Sequence, residues 1–425
     1  MGDKKTGLAS ASGLTRRGFL DVAAGTIALV ALPLAAKAAG VATAGEVLPD
    51  ELAELAAKLQ YLTPMERFGG FVREKPAPYD LPAEKQREVG LHRDTWQLEV
   101  IGEEGGNSKV DHPMSKAAGT ALNFAGLMKL AESHAVRYIT TLTCTNTNEP
   151  FGTGLWEGVP LREVVWQARP KGNVRRVYYY GFHNDEPKQR FQSSLTMSRV
   201  LEDPPGELPV ILAYKYNGQW LSSKLGGPVR MVVPGAYANK SVKWLQRVVL
   251  SNDYQANDTY ATWNNDTESP MKSFARFVHP PTQVRAGRKV PLTGLAQVGL
   301  NGLGKVQYAI TPQDEALAKD DPYLATLNWR DATILPPPKD WGGGLPEGKL
   351  PRAPLQFDPD TGQPKVWPLR YAIAHWAALA EAPPAGRYDL RCRAVDANGI
   401  AQPLPRPLPK SGNNAIQKLT LTVEG

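Results

Sequence analysis

The pattern of the chain changes near residue 270, and this change limits the possible folds more than any other feature. Beyond residue 274, short strand-like runs recur about every 8–12 residues between Gly and Pro turns, a spacing typical of a β-sandwich. Before residue 270, helix-like and strand-like segments are mixed, and the 39 Gly and 37 Pro residues make the whole chain rich in loops. We therefore predict an α+β fold in which the second part is all β.

Length and charge set further limits. A chain of 425 residues is long for one hydrophobic core, so we predict two domains, over residues 45–270 and 271–425. With 42% hydrophobic and 21% charged residues, the composition is that of an ordinary globular protein. The net charge is +7, of which the first 44 residues contribute +3, and this excess is too small to indicate a nucleic-acid-binding protein.

The N-terminus has the features of a targeting segment. Arg16 and Arg17 form a twin-arginine pattern, and an apolar run at residues 22–36 follows that is too short to span a bilayer. Two small-x-small cleavage sites follow, Ala36-Lys37-Ala38 and Ala42-Thr43-Ala44. These features predict a signal peptide over residues 1–44 and export to the periplasm by the twin-arginine machinery. That route carries folded proteins, commonly with a cofactor already loaded.

One predicted strand ends at a cysteine. Residues 136–143 are rich in β-branched and aromatic side chains, and a Thr/Asn/Pro cluster at residues 145–150 ends the strand. Cys144 therefore lies where a rigid strand meets a loop, a suitable place for a thiolate that binds a ligand. A lone cysteine is more often a small buried hydrophobe, and the residues of this strand alone leave both interpretations open.

The second cysteine has a different setting. Cys392 lies in a strand-like run in which Leu390 and Ala394 share its face, so we predict a core residue. A disulfide between Cys144 and Cys392 would join a loop of the first domain to a core face of the second, and we expect none. The sequence has no haem-attachment motif and no cysteine cluster for an iron–sulfur group.

Several segments carry a resemblance by their order and spacing. They are Phe71-Val72-Arg73, Leu142-Thr143-Cys144, residues 152–161, Gly227-Pro228-Val229-Arg230 with the apolar run that follows, residues 242–245, and residues 384–396. Together they resemble the sulfite oxidase family of molybdopterin-dependent oxidoreductases, over roughly residues 60–425. The resemblance implies a molybdopterin-binding catalytic domain over residues 45–270. It also implies an immunoglobulin-like β-sandwich over residues 271–425 that serves for dimerisation.

The resemblance also implies a cofactor, molybdenum bound to molybdopterin (Mo-Moco), with Cys144 as the protein's ligand to the metal. A soft thiolate suits such a metal, and the phosphate of a pterin needs fixed cations and N–H donors. The implied cofactor-binding residues are Gly70, Phe71, Val72, Arg73, His183, Arg230, Ser241, Val242 and Lys243, and the implied catalytic residues are Arg73, Cys144 and His183. Arg230 stands between Gly-Pro and an apolar run, where an unpaired arginine would be costly.

The chain departs from the family pattern where the substrate is expected. Asn148 and Glu149 stand where the family usually has an arginine. A carboxylate near a bound dianion disfavours binding, so we expect weak affinity for sulfite and better affinity after Glu149→Arg. Other positions also differ or are ambiguous: Leu225 replaces a histidine, Tyr260 or Glu268 stands near the place of the active-site tyrosine, and Lys418 is the base nearest to a late arginine.

The leading functional prediction is an exported enzyme that transfers an oxygen atom to or from a small sulfur-type substrate, most simply by oxidising sulfite. Its electrons would pass to a separate protein such as a cytochrome c. The second prediction is a reductase of S-oxides or of another oxo-transfer substrate. The third is a non-catalytic pterin-binding subunit. Metal content separates the third from the others, and the substrate that oxidises or reduces the metal separates the first two.

Overall fold

The first part of the chain builds two β-sheets, and the part beyond residue 270 builds a third. The structure is a computed structural model, and it describes residues 48–147, 149–183, 191–256, 258–261, 266–318, 320–321, 323–351, 354–403 and 412–425. The predicted signal peptide, Asn148 and a proline-rich loop predicted at residues 404–409 lie outside these ranges.

The first part alternates short helices with strands, as an α+β fold requires. Its strands are β1 (Gln97–Gly102), β2 (Leu122–Asn123), β3 (Val136–Thr143), β4 (Pro150–Pro160), β5 (Arg176–Gly181), β6 (Gln192–Thr196), β7 (Ile211–Tyr216), β8 (Gln219–Trp220), β9 (Arg230–Val232) and β10 (Leu245–Ser251). One sheet has the order β2-β1-β10-β5-β6, and the other has the order β3-β4-β7-β8 with β9 paired to β7. A core rich in Val and Leu fills the first part.

The second part is all β, as the spacing of its short strands predicts. Its strands are β11 (Phe274–Phe277), β12 (Gln283–Arg285), β13 (Lys289–Gln297), β14 (Lys305–Pro312), β15 (Arg330–Ile334), β16 (Ile373–Glu381), β17 (Gly386–Val395) and β18 (Gln417–Glu424). They form one path, β11-β13-β16-β15-β14-β17-β18-β12, which curls so that β11 packs against β17 and β18. The α+β class with a β-sandwich in the second part is therefore confirmed. The domain boundary near residue 270 stays a prediction.

The helices are short. They are α1 (Asp50–Ala56), α2 (Ala83–Glu88), α3 (Phe124–His134), α4 (Leu161–Val165) and α5 (Met197–Leu201), together with 3-10 turns at Met65–Arg67, Pro78–Asp80, Trp166–Ala168, Ser223–Leu225, Ala238–Lys240 and Pro346–Gly348. The apolar pattern of residues 48–62 predicts a longer helix than α1. The helix ends at Ala56, and beyond it Leu62 is buried, with its N–H bonded to Trp341 O at 2.9 Å. No helix in the described ranges is long and apolar enough to cross a membrane.

The second part of the chain holds β3 in place. The Thr140 hydroxyl and the Thr141 N–H both bond to the carbonyl of Tyr371, at 2.8 and 2.7 Å. The Thr143 hydroxyl donates to the side-chain oxygen of Gln297. All three threonines are buried, so these bonds are shielded from water. The end of β3, and with it Cys144, is therefore fixed by residues from both parts of the chain.

Cys392 agrees with its predicted core role. It is fully buried on β17, next to Leu390 and Ala394 in the core of the second part. Burial raises the pKa of its thiol well above the usual value. Cys144 and Cys392 are both free thiols.

Candidate active site

A cleft with an empty volume of about 950 Å³ lies among the loops of the first part. Its walls come from segments distant in sequence, and residues of both sheets of the first part take part. The lining residues are Phe68, Gly69, Gly70, Phe71, Arg73, Glu74, Leu142, Cys144, Thr145, Phe151, Gly181, Phe182, Phe191, Lys224, Leu225, Arg230, Ala238, Asn239, Ser241, Val242, Lys243, Trp244 and Tyr260. A cleft of this size, mostly apolar with a few converging polar groups, is typical of a cofactor site.

Cys144 lies in the cleft directly after β3 and is 8% exposed. The turn that follows directs a backbone donor at it, because the N–H of Asn146 lies 3.5 Å from Sγ. This turn is held from the other side by the N–H of Asn413, which bonds to Thr145 O at 2.7 Å. The sulfur thus lies at the cleft with a backbone donor beside it, and cysteine binds metals as the thiolate.

Arg230 is a buried cation in the same cleft, 4% exposed on β9. Its Nη1 and Nη2 atoms donate to the carbonyls of Leu225 and Ser241 at 2.8 and 2.7 Å, and Nε has a long contact of 3.5 Å to Met231 O. No carboxylate among the described residues pairs with it. Since a guanidinium has five N–H groups, two remain for a ligand. Burial lowers the pKa of Arg230 to about 9, the sign of a cation that lacks a compensating charge.

Lys243 brings a second cation to the cleft. Two glycines make room for its segment. A Cβ on Gly226, whose φ is +97°, would lie 2.6 Å from Lys243 Cγ, and a Cβ on Gly181 would lie 2.0 Å from Lys243 O. Burial, and to a lesser degree the charge of Arg230, lower the pKa of Lys243 to about 8, although the charge of Glu74 acts in the opposite direction. The described carboxylates form no ion pair with Lys243 within 4.0 Å. Two neighbouring cations without such a partner are suited to a multiply charged anion.

Tyr260 lines the cleft beside Cys144 and Arg73. Burial raises the pKa of its phenol, the negative charge of Cys144 raises it further, and Arg73 opposes this. The phenol is therefore protonated at neutral pH and can donate a hydrogen bond. Phe191 lies between these groups, with its ring centroid 5.8 Å from the Tyr260 ring and 5.6 Å from Arg73 Cζ. One cation, one phenol and one aromatic ring thus surround the space near the thiolate.

The structure brings most of the predicted site residues together. The cleft lining includes Gly70, Phe71, Arg73, Cys144, Arg230, Ser241, Val242 and Lys243. Val72 and His183 are described but are not among the lining residues, although each adjoins one that is. His183 Nδ1 instead lies 3.3 Å from Gly181 O. The roles assigned to individual residues stay predictions.

Several lining residues were not predicted. The polar ones are Glu74, Thr145, Lys224 and Asn239, and the large aromatic ones include Phe68, Phe151, Phe191 and Trp244. Glu74 adjoins Arg73 and Lys224 adjoins Leu225, so proximity in sequence to the motif residues was an available signal for these two. Phe191 reaches the cleft from the start of β6, and no local pattern indicates that.

The residues at the ambiguous positions lie as follows. Tyr260 and Leu225 line the cleft, whereas Glu268 pairs with Arg176 at 3.2 Å. Lys418 is 62% exposed on β18 and lies 3.8 Å from Asp389, outside the cleft lining. Glu149 is 70% exposed and pairs with Arg276, so the expectation that it faces a bound oxyanion is wrong. Its position in the sequence after Cys144 suggested that Glu149 lies in the substrate pocket. In the folded chain its side chain instead reaches Arg276 on β11.

These residues fit the molybdenum–molybdopterin group. The thiolate that the metal needs is Cys144, supported by the N–H of Asn146. Arg230 and Lys243 are cations without a carboxylate partner among the described residues, which is what the phosphate of the pterin requires. One cleft is lined by all three of these residues.

Comparisons with known proteins agree with this geometry. Residues 86–259 match the family model described as the oxidoreductase molybdopterin binding domain. Mitochondrial sulfite oxidase of Rattus norvegicus is 31% identical over 180 residues, which are 41% of this chain and 31% of that protein. The NADPH nitrate reductase of Pichia angusta is 36% identical over 100 residues, which are 24% of this chain and 11% of that protein. The chain thus spans about a third or less of the length of these relatives.

A solved structure extends the likeness of the fold to the second part. The sulfane dehydrogenase SoxCD of Paracoccus pantotrophus superposes with a TM-score of 0.55 at 17% sequence identity, and the match covers 94% of this chain and 97% of that one. This likeness concerns the fold, and it confirms the predicted order of a molybdopterin-binding part and a β-sandwich. Together with the matched domain and the cleft, it leads to one conclusion. Residues 86–259 carry the oxidoreductase molybdopterin binding domain and are similar to sulfite oxidases, so the chain is a molybdopterin-dependent oxidoreductase whose cofactor is molybdenum bound to molybdopterin.

Proposed function

We propose that this protein oxidises sulfite or a related small sulfur compound by oxygen-atom transfer and passes the electrons to a separate acceptor protein such as a cytochrome c. The observation that carries the proposal is the presence, in one cleft, of the Cys144 thiolate and of two cations, Arg230 and Lys243, that lack carboxylate partners among the described residues. The similarity to sulfite oxidases, and the fold shared with a sulfane dehydrogenase, support a sulfur substrate.

The chemistry balances with an external acceptor. Oxidation of sulfite to sulfate adds one oxygen atom from water and releases two electrons and two protons. The bound cofactor supplies the oxygen-atom transfer and the two-electron change. The chain contains two cysteines and no haem-attachment motif, so the electron acceptor in this proposal is another protein.

The other residues of the cleft have distinct roles in this proposal. Arg73 supplies positive charge beside the thiolate, which favours an anionic substrate. Tyr260 keeps its phenolic proton at neutral pH and can donate a hydrogen bond to an oxygen of the substrate. The rings of Phe191 and Phe182 cover the site with apolar surface and limit the entry of water. Arg230 and Lys243 orient the cofactor through its phosphate.

The first test is metal analysis of protein purified from a host that makes molybdopterin, followed by two assays. One assay measures sulfite-dependent reduction of an artificial electron acceptor, and the other measures S-oxide-dependent oxidation of a reduced dye. The proposal predicts about one molybdenum per chain and turnover with sulfite, with an increase in KM at higher ionic strength. Molybdenum without turnover of sulfite or of other sulfur compounds would contradict it.

A second candidate is the reduction of an oxo substrate, such as an S-oxide. The observation that favours it is the similarity to nitrate reductases, which includes 36% identity over 100 residues to the Pichia angusta enzyme. The space near Cys144 also contains an aromatic ring, Phe191, next to its cation Arg73, so it suits substrates with less charge than sulfite. Activity in the second assay alone would select this candidate.

The proposal includes location and assembly. The Arg16-Arg17 pattern and the apolar run after it support export to the periplasm by the twin-arginine machinery. Changing both arginines to lysine should leave the precursor in the cytoplasm, which cell fractionation would detect; normal amounts in the periplasm would contradict this route. The β-sandwich of the second part is the proposed surface for a homodimer, and light scattering would test it.

A further inference from the structure

A buried ion pair lies behind the wall of the cleft. Lys240 Nζ is 3.1 Å from Asp258 Oδ2, and the two side chains are 0% and 2% exposed. The Ser194 hydroxyl, on β6, donates to the same carboxylate oxygen at 2.9 Å. Lys240 Nζ also donates to the carbonyl of Ser194 at 2.9 Å, so each charge has further partners.

The other oxygen of Asp258 holds the backbone of Tyr260. Oδ1 accepts the N–H of Tyr260 at 3.0 Å and that of Ala261 at 3.1 Å. Thr259, between them, exchanges two hydrogen bonds with Gln192 at the start of β6, at 3.0 and 3.2 Å. The short segment that carries the Tyr260 ring into the cleft is therefore fixed by one carboxylate and one strand end.

Lys240 connects the segment that carries Tyr260 to the cleft-lining residues 241–243. It ends the 3-10 turn Ala238–Lys240, and the next three residues, 241–243, all line the cleft. The carbonyl of Lys240 accepts the buried hydroxyl of Tyr179 at 2.8 Å, which fixes the turn to β5. The ion pair thus joins the stretch with the predicted cofactor ligands to the stretch with the phenol beside Cys144.

A buried ion pair of this kind contributes little to the free energy of unfolding. Desolvation of two charges offsets much of their attraction, and apolar side chains of the same size often do as well. Charged groups with fixed partners do, however, impose a single geometry on the segments that carry them. The geometry imposed here is the distance between residues 241–243 and the ring of Tyr260.

We propose that Lys240 and Asp258 are positioning residues that fix Tyr260 relative to the cofactor-binding stretch 241–243 and the Cys144 thiolate. The inference rests on the proposed function in one respect only, namely that Tyr260 donates a hydrogen bond to the substrate. Its structural content concerns the order of the Tyr260 ring and is independent of which substrate is oxidised.

The first experiment therefore needs no substrate. With 3-fluorotyrosine at position 260, ¹⁹F NMR of the full-length protein should give one sharp signal, because the ring has one fixed environment. Asp258→Asn keeps the size of the side chain but removes the charge. Ser194→Ala keeps the ion pair and removes the hydroxyl's bond to Asp258, together with the bond that the hydroxyl accepts from Arg176 Nη1 at 3.1 Å. Both should broaden or split the signal, Asp258→Asn more strongly. The same label at Tyr388, on β17, should be unaffected in both variants and serves as the matched control.

An unchanged signal at position 260 in both variants would overturn the proposal. If Asp258→Asn fails to fold, Ser194→Ala decides alone, since it leaves the ion pair in place. A change at Tyr388 as large as that at position 260 would show a general loss of structure and would also overturn a specific positioning role.

The second experiment tests the connection with turnover by a double-mutant cycle on the holoenzyme. With sulfite as the probe, Asp258→Asn should lower kcat/KM about tenfold in the wild-type background and have little effect in the Tyr260→Phe background, because the two residues act in one network. Equal effects in both backgrounds would overturn action through Tyr260. If sulfite is not turned over at all, the proposed function fails while the ¹⁹F result still decides the positioning role.

Discussion

Arg276 Nη1 on β11 lies 3.1 Å from Oε2 of Glu149, and this pair directs the glutamate away from the cleft. The carboxylate is 70% exposed, so its charge is well screened by solvent and salt. Glu149→Arg should therefore change KM for sulfite by less than about twofold, since weak exposed pairs contribute little at a distance. Steady-state assays at fixed ionic strength would measure this.

Arg73→Gln is the informative counterpart, because Arg73 lines the cleft. Loss of a charge-assisted hydrogen bond of about 1.5–3 kcal/mol should raise KM for sulfite by about tenfold or more. A large decrease of KM in Glu149→Arg would mean that the carboxylate faces the substrate after all.

Lys243 should make the stability of the cofactor-free protein depend on pH. Burial lowers its pKa from 10.5 to about 8, so between these values the unfolded chain binds more protons than the folded one. The free energy of unfolding then rises with pH across this window. Below about pH 8 the lysine is charged in both states, so the folded protein bears the full cost of the buried charge and this gain is absent.

Lys243→Met removes this dependence. Compared with that variant, the wild-type protein should gain about 2–3 kcal/mol in unfolding free energy between the two pH values. Urea titrations of both cofactor-free proteins across the window would measure the difference. Parallel pH profiles would show that Lys243 titrates normally and is not a buried cation awaiting an anion.

Cys392→Ser should lower stability without affecting turnover. The thiol is fully buried on β17, where Sγ lies 3.9 Å from Gln417 Oε1. A hydroxyl there is poorly satisfied and should cost about 1–3 kcal/mol. Thermal unfolding and sulfite assays on the same preparation would test this. A lower turnover number in the fully folded variant would contradict the purely structural role.

The sequence predicts the features that local chemistry determines. The β-branched run before Cys144 and the polar cluster after it place the thiol at a strand end, and β3 does end at Thr143. The Asn-Gly pair at residues 217–218 predicts the hairpin between β7 and β8, and both residues have positive φ. Arg230 was identified as a buried cation because an apolar run follows it, and it is 4% exposed.

The sequence does not predict what long-range contacts determine. Tyr260 reaches the cleft because Asp258, held by Lys240 and Ser194, fixes its backbone, and no local pattern encodes that network. Glu149 was placed in the substrate pocket by its distance from Cys144 along the chain, yet its orientation depends on Arg276, a residue of another strand. Such pairings become visible only when the chain is folded.

The most direct test of the central claim is the metal centre of Cys144→Ser compared with that of Cys392→Ser. Cys144 ends β3 in a cleft with two cations, whereas Cys392 lies in the core of the second part, so the two variants differ only in which thiol is lost. The measurement is the electron paramagnetic resonance spectrum of the reduced holoproteins, with molybdenum content determined on the same samples. The account predicts an altered metal signal and loss of turnover in Cys144→Ser, and a wild-type signal in Cys392→Ser. An unchanged signal and normal turnover in Cys144→Ser would contradict the assignment of Cys144 as the ligand of the metal.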